Sequence, residues 1–181
     1  MNQIAQQLKE KNIAEYLIYM WQEEDLIRAN HCAIEELEAN VITRYPEEQR
    51  PAMREWYENL ISMMNGEGVR ETGHLQINKN VIINLTELHN ALTSSPKFPF
   101  YGAAYFKALP FIVELRNKNG KKDDSELETC FEALYGVLLL RLQKKAISEG
   151  TAKAIEAISS FLSMLANYYE KEQKGELKLE E

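Results

Sequence analysis

The sequence predicts an all-α fold, on three observations. Apolar residues recur at three- and four-residue steps along most of the chain, the period of a helix face. Glycine and proline number only eight and five in 181 residues, which argues against a turn-rich β architecture. The punctuation that does occur, such as Asn12, Pro51, Gly66 and Ser148, sits where helices should begin or end. The expectation is a single helical domain spanning 1–181, a bundle of about six or seven helices. Residues 170–181 read as a frayed charged tail.

The stretch Glu126–Lys145 predicts the spine of that bundle. Leu127, Cys130, Phe131, Leu134, Val137, Leu138 and Arg141 keep the helical period, and Tyr135–Leu140 is almost unbroken apolar. Such a wide apolar stripe predicts a helix covered on several sides. At roughly 1.5 Å per residue it is about 30 Å long, enough to run through a small domain. The helices Ile13–Ala29, Phe100–Arg116 and Thr151–Tyr169 are expected beside it.

The other elements follow in order. Residues 2–10 read as a short polar helix or arm. Asn12 with Glu15 forms a capping box for Ile13–Ala29, and Asn30-His31 is the break after it. Ala33–Arg44 is a second helix, stopped by Pro46. Pro51 opens a third, where its missing N–H is no loss, and Asn65-Gly66 closes it. His74–Asn78 alternates polar and apolar residues, which fits a brief extended segment before a helix over Lys79–Thr93. Pro110 lies inside the Phe100–Arg116 helix and predicts a kink. Asn117–Asp124 is a polar loop, and Ser148 caps the last helix.

Composition narrows the function classes. A formal charge of −7 without a basic patch argues against a nucleic-acid partner. Cys32 and Cys130 form no CxxC pair and read as small buried apolar residues. The N-terminal MNQIAQQLKEKN carries no apolar h-region, and no apolar run approaches the roughly 20 residues of a membrane span. A soluble, cytoplasmic protein without a membrane partner is expected.

Candidate site residues are few. His31, His74 and His89 show no HxxxH or ExxH spacing, so neither a metal site nor a cofactor is expected. Asp25 and Arg28 share a helix face with Trp21, and Arg141 prolongs the spine's stripe. A charge beside a core needs a partner or a route to water. Arg141 is therefore expected to pair with Asp25 or Glu114. Tyr101 and Tyr105 flank a Gly/Ala-rich turn ahead of Pro110, where small residues and a kink can open a cleft. In an extended segment His74, Gln76 and Asn78 would point the same way and could hold a small polar ligand. The plainer reading of each group, a structural ion pair, a closely packed helix contact or a satisfied loop backbone, is preferred. No catalytic residue is assigned, because no Gly-rich phosphate loop, GxSxG or nucleophile–base spacing occurs.

Several strings together resemble one family: IAEYLIYMWQEEDLIRA, GHLQINKNV, KALPFIVELR and ETCFEALYGVLLLRLQKK. The chain is similar over nearly its whole length to the domain of unknown function 4924. The resemblance implies an all-helical bacterial protein and brings no activity, ligand or site residue.

Three function classes follow, in order of preference. The first is a non-catalytic interaction module, self-associating as a homo-oligomer through an apolar helix face. The second is a small-molecule-binding bundle with a pocket near Pro110, bordered by Tyr101, Tyr105, Asp25, Arg28 and Arg141. The third is a metal-assisted enzyme using Glu24, Asp25 or the histidines.

Overall fold

The computed structural model describes residues 2–120 and 125–179. Among the described residues there are eight α-helices and no strand. They are α1 (Gln3–Lys11), α2 (Ile13–Ala29), α3 (Ile34–Asn40), α4 (Arg50–Gly66), α5 (Gln76–Ser94), α6 (Pro99–Asn119), α7 (Glu126–Leu142) and α8 (Glu149–Gln173). The class is as expected, and the helices number eight rather than six or seven. The polar N-terminal segment is a full helix because the Asn2 side chain accepts from the Ala5 N–H at 2.7 Å and caps it.

The chain divides into two compact units, residues 1–81 and 82–181. The boundary falls between Val81 and Ile82, inside α5, so no linker marks it.

In the first unit α1 packs on α2, α2 on α4, and α3 on α4. Leu17, Met20, Ile27, Leu37, Tyr57 and Met64 are buried there. Asn12 caps α2 as expected, accepting from the Glu15 N–H at 3.2 Å. After α2 the chain turns through His31 and Cys32, both left-handed at φ 55° and 54°. Asn30 steadies that turn by donating to the Leu26 carbonyl at 2.8 Å. The helix expected over Ala33–Arg44 is shorter: α3 ends at Asn40, and Ile42–Arg44 is a separate 3-10 turn. The β-branched run Val41, Ile42, Thr43 disfavours helix, and the turn buries Ile42 completely.

In the second unit the most extensive pairing is α6 with α8, and α7 packs against both. Ser125 caps α7 and Ser148 caps α8, each hydroxyl accepting from the N–H three residues on at 3.1 Å. Helix α6 continues through Pro110 to Asn119. Proline has no N–H for the Phe106 carbonyl, and Phe106 lies at the surface. The polar loop expected over Asn117–Asp124 begins later, at the left-handed Gly120, and residues 121–124 lie outside the described residues. Helix α8 runs to Gln173, so the first part of the charged tail is helical.

The expected spine is corrected. Helix α7 buries Leu127, Thr129, Cys130, Phe131 and Val137, nearly all in its first half. Leu138, Leu139 and Leu140 are half-buried, Arg141 is exposed, and Leu142 is 64% exposed. The apolar run is real, but the described residues cover its second half only in part. Helix α2, expected beside it, belongs to the core of the other unit.

Candidate functional site

The densest polar chemistry is in the first unit, around Glu24 of α2. Its side chain is buried, and three donors converge on it. The Leu75 N–H and the Asn78 side-chain amide donate to Oε1 at 2.9 and 2.6 Å, and His74 Nδ1 meets Oε2 at 2.6 Å. Leu75 and Asn78 frame the start of α5, where backbone N–H groups lack intrahelical partners and the helix dipole is positive. A carboxylate reaching in from another helix therefore acts as a long-range cap. It also fixes the imidazole of His74, which stacks on Trp21 with ring centroids 4.2 Å apart. The His74 side chain is 28% exposed.

One turn along α2, Arg28 binds Asp25 at 2.9 Å, the Val69 carbonyl at 3.1 Å and the Gly73 carbonyl. It ties the 67–75 loop to α2 and so delivers His74 to Glu24. Gly73 has φ 91°, a backbone conformation that suits glycine. The adjacent Glu23 turns to another wall, where Trp56 Nε1 donates to it at 3.4 Å. Burial raises the Glu23 carboxyl above its ordinary pKa, opposed by its hydrogen-bond donors.

The second unit has an aromatic end and an open end. At the first, His89 of α5 meets the Tyr101 hydroxyl at 2.6 Å, and Tyr105 donates to Glu126 at 2.8 Å. Phe161 of α8 lies against His89, Tyr101 and Tyr105. Burial lowers the His89 pKa, against the opposing charge of Glu126. Tyr105 is pushed up to about 12, by burial first and by Glu126 second. Burial also holds the Cys130 thiol protonated, so it is no ready nucleophile.

At the other end α6, α7 and α8 part around a cleft of about 600 Å³. Phe111 and Leu115 form one wall, Val137 and Leu140 a second, Ala154 and Ile155 a third. Outside this cleft α6 carries a separate exposed stripe. Phe106, Pro110 and Val113 follow one another at helical spacing on the surface, with Phe100 at the start of the helix.

The predicted residues therefore fall into separate groups. Asp25, Arg28, His74 and Asn78 come together, with Glu24 at their centre. Gln76 does not join them: its amide donates to Asn80 at 2.9 Å on the surface. The extended segment expected over His74–Asn78 is instead a loop residue pair followed by the first turn of α5. The turn from the loop into α5 brings His74 and Asn78 to the same carboxylate, which an extended chain would have held apart. Tyr101 and Tyr105 belong to the second unit and surround His89. Arg141 is exposed, and the acids named for it are engaged elsewhere, Asp25 with Arg28 and Glu114 with Lys118 at 2.5 Å. The cleft near Pro110 begins at Phe111, and none of the five residues expected to border it is in its lining.

Glu23 and Glu24 stood in the sequence as part of a QEED run, with no signal that two of its acids are buried. Among the described residues no group of three or more His, Cys, Asp or Glu side chains could hold a metal ion, and no helix is long and apolar enough to cross a membrane.

No curated protein and no solved structure matches the chain. The model of the family described as a domain of unknown function, DUF4924, matches residues 2–176, and the chain belongs to that family.

Proposed function

We propose that the protein is a non-catalytic interaction module that pairs with a second copy of itself through the outer face of α6. One observation carries this reading: Phe106, Pro110 and Val113 are exposed along one face of a single helix, Phe106 by 67% and Val113 by 46%. Apolar side chains in water on one helix face are a surface in search of cover. Pro110 lies within the stripe and leaves the Phe106 carbonyl without its intrahelical donor.

A second copy fits the charges. Lys107 and Glu114 lie seven residues apart, along one edge of the stripe and on either side of Pro110. An antiparallel crossing of two α6 helices near Pro110 brings Lys107 of one copy to Glu114 of the other, where it joins the Lys118 that Glu114 holds within its own chain. Two-fold symmetry then repeats the contact. The same reading makes the protein a bacterial, cytoplasmic one whose two units act as a single domain, without nucleic-acid or membrane partners. The resemblance implies the bacterial source, and the charge of −7 argues against a nucleic-acid partner.

Sedimentation velocity at micromolar concentration tests the pairing. The wild-type chain should run as a dimer and Phe106→Glu as a monomer. A wild-type monomer would overturn the reading.

A further inference from the structure

We propose that the open end of the 82–181 unit is a binding site for a small amphipathic anion, a carboxylate carrying an apolar chain. The site does not depend on the pairing of α6. It rests on the cleft between the second half of α7, the second half of α6 and the first turns of α8. Its volume of about 600 Å³ lies within the roughly 300–1,000 Å³ of small-molecule sites. Phe111, Leu115, Val137, Leu140 and Ile155 give it apolar walls.

The cleft is kept open by composition. Gly136 lies inside α7, where a glycine costs roughly 0.5–1 kcal/mol relative to alanine. Its φ is ordinary for a helix, so backbone conformation does not require it. A Cβ built there meets no atom within 4 Å. The missing side chain leaves space, and that space is in the cleft.

Charge selects the ligand's head. Leu140 and Ser148 both line the cleft, and the chain between them carries Arg141, Lys144 and Lys145, all exposed. Among the described residues none of these three pairs with an acid. The nearer lining cation, Lys118, is held by Glu114 at 2.5 Å. Glu114 and Glu132 also line the cleft, but the three cations that follow Leu140 in the chain gather at its one end, and on a chain of net charge −7 they make a local field there that favours an anionic head group. The apolar chain then fills the cleft while the head stays at the cationic end.

Isothermal titration with dodecanoate, below its micelle concentration, tests the site. One dodecanoate should bind per chain, and dodecyltrimethylammonium, with the same chain and the opposite charge, at least tenfold more weakly. Gly136→Phe should fill the cleft and weaken dodecanoate at least tenfold. Arg141→Glu with Lys145→Glu, both surface positions, should weaken it at least fivefold while circular dichroism stays unchanged. Equal binding of the two head groups, or full affinity in a folded Gly136→Phe chain, would overturn the proposal. So would a chain that sediments with vesicles of phosphatidylcholine and phosphatidylglycerol yet takes up no dodecanoate, since the ligand source would then be a lipid surface.

Discussion

Glu24 and Asn78, fifty-four residues apart in the chain, meet at 2.6 Å inside the 1–81 unit. The carboxylate also takes the Leu75 N–H and the His74 ring, so one side chain closes the start of α5 and positions the loop before it. Removing it strands three buried or half-buried donors at once.

Glu24→Ala should therefore cost about 3–5 kcal/mol of stability, the range for breaking a buried charged contact. Glu24→Gln keeps the shape but turns an amide nitrogen toward donors, and should cost about 1–3 kcal/mol. Urea denaturation followed by Trp fluorescence measures both, and Trp21 under His74 reports the site directly.

His89 gives the 82–181 unit a pH dependence of known sign. Burial lowers its pKa below the ordinary 6.5, so the folded state binds fewer protons there than the unfolded chain. Stability from this residue is present above 6.5 and is lost as pH falls through that value toward the lowered one. Denaturation midpoints at pH 7.5 and 5.5 should differ less in His89→Phe than in the wild type. Tyr101→Phe, which removes the 2.6 Å hydrogen bond to His89, should cost about 1 kcal/mol at neutral pH.

The two halves of α7 should respond oppositely to substitution. Phe131 is fully buried, and Phe131→Ala should cost about 3–5 kcal/mol. Leu142 is 64% exposed, and Leu142→Gln should stay within about 0.5 kcal/mol of wild type. Equal losses would restore the fully covered rod expected from the apolar run.

Neither cysteine should react with a thiol reagent in the native state. Both are buried, and burial raises the Cys130 pKa so that little thiolate exists at neutral pH. Titration with 5,5′-dithiobis(2-nitrobenzoic acid) should release colour slowly until denaturant is added, and then two equivalents.

What could be read from the sequence was mostly local. The helical period is set by residues three and four apart, and Asn12 and Ser148 cap groups three residues on, so class and several boundaries were visible. Pairings across long separations were not. Nothing near Glu24 announces His74 or Asn78, though His74, Asn78, Asp25 and Arg28 each stood out as polar residues beside apolar ones. The apolar run of α7 showed how greasy the helix is and not what lies against it. The unit boundary left no trace because it falls inside a continuous helix, with none of the Pro, Gly or Ser that marks a linker. The break after α3 was written in Val41, Ile42 and Thr43, but a β-branched run carries less weight than a proline.

Sedimentation equilibrium of charge-reversed chains tests the pairing of α6 most directly. Lys107→Glu and Glu114→Lys, each alone, should weaken the dimer about tenfold by setting like charges against each other. The doubly reversed chain should return to wild-type affinity, because each copy again meets its opposite. Single variants that pair as tightly as the wild type, or a double variant no tighter than the singles, would contradict the antiparallel contact through Pro110.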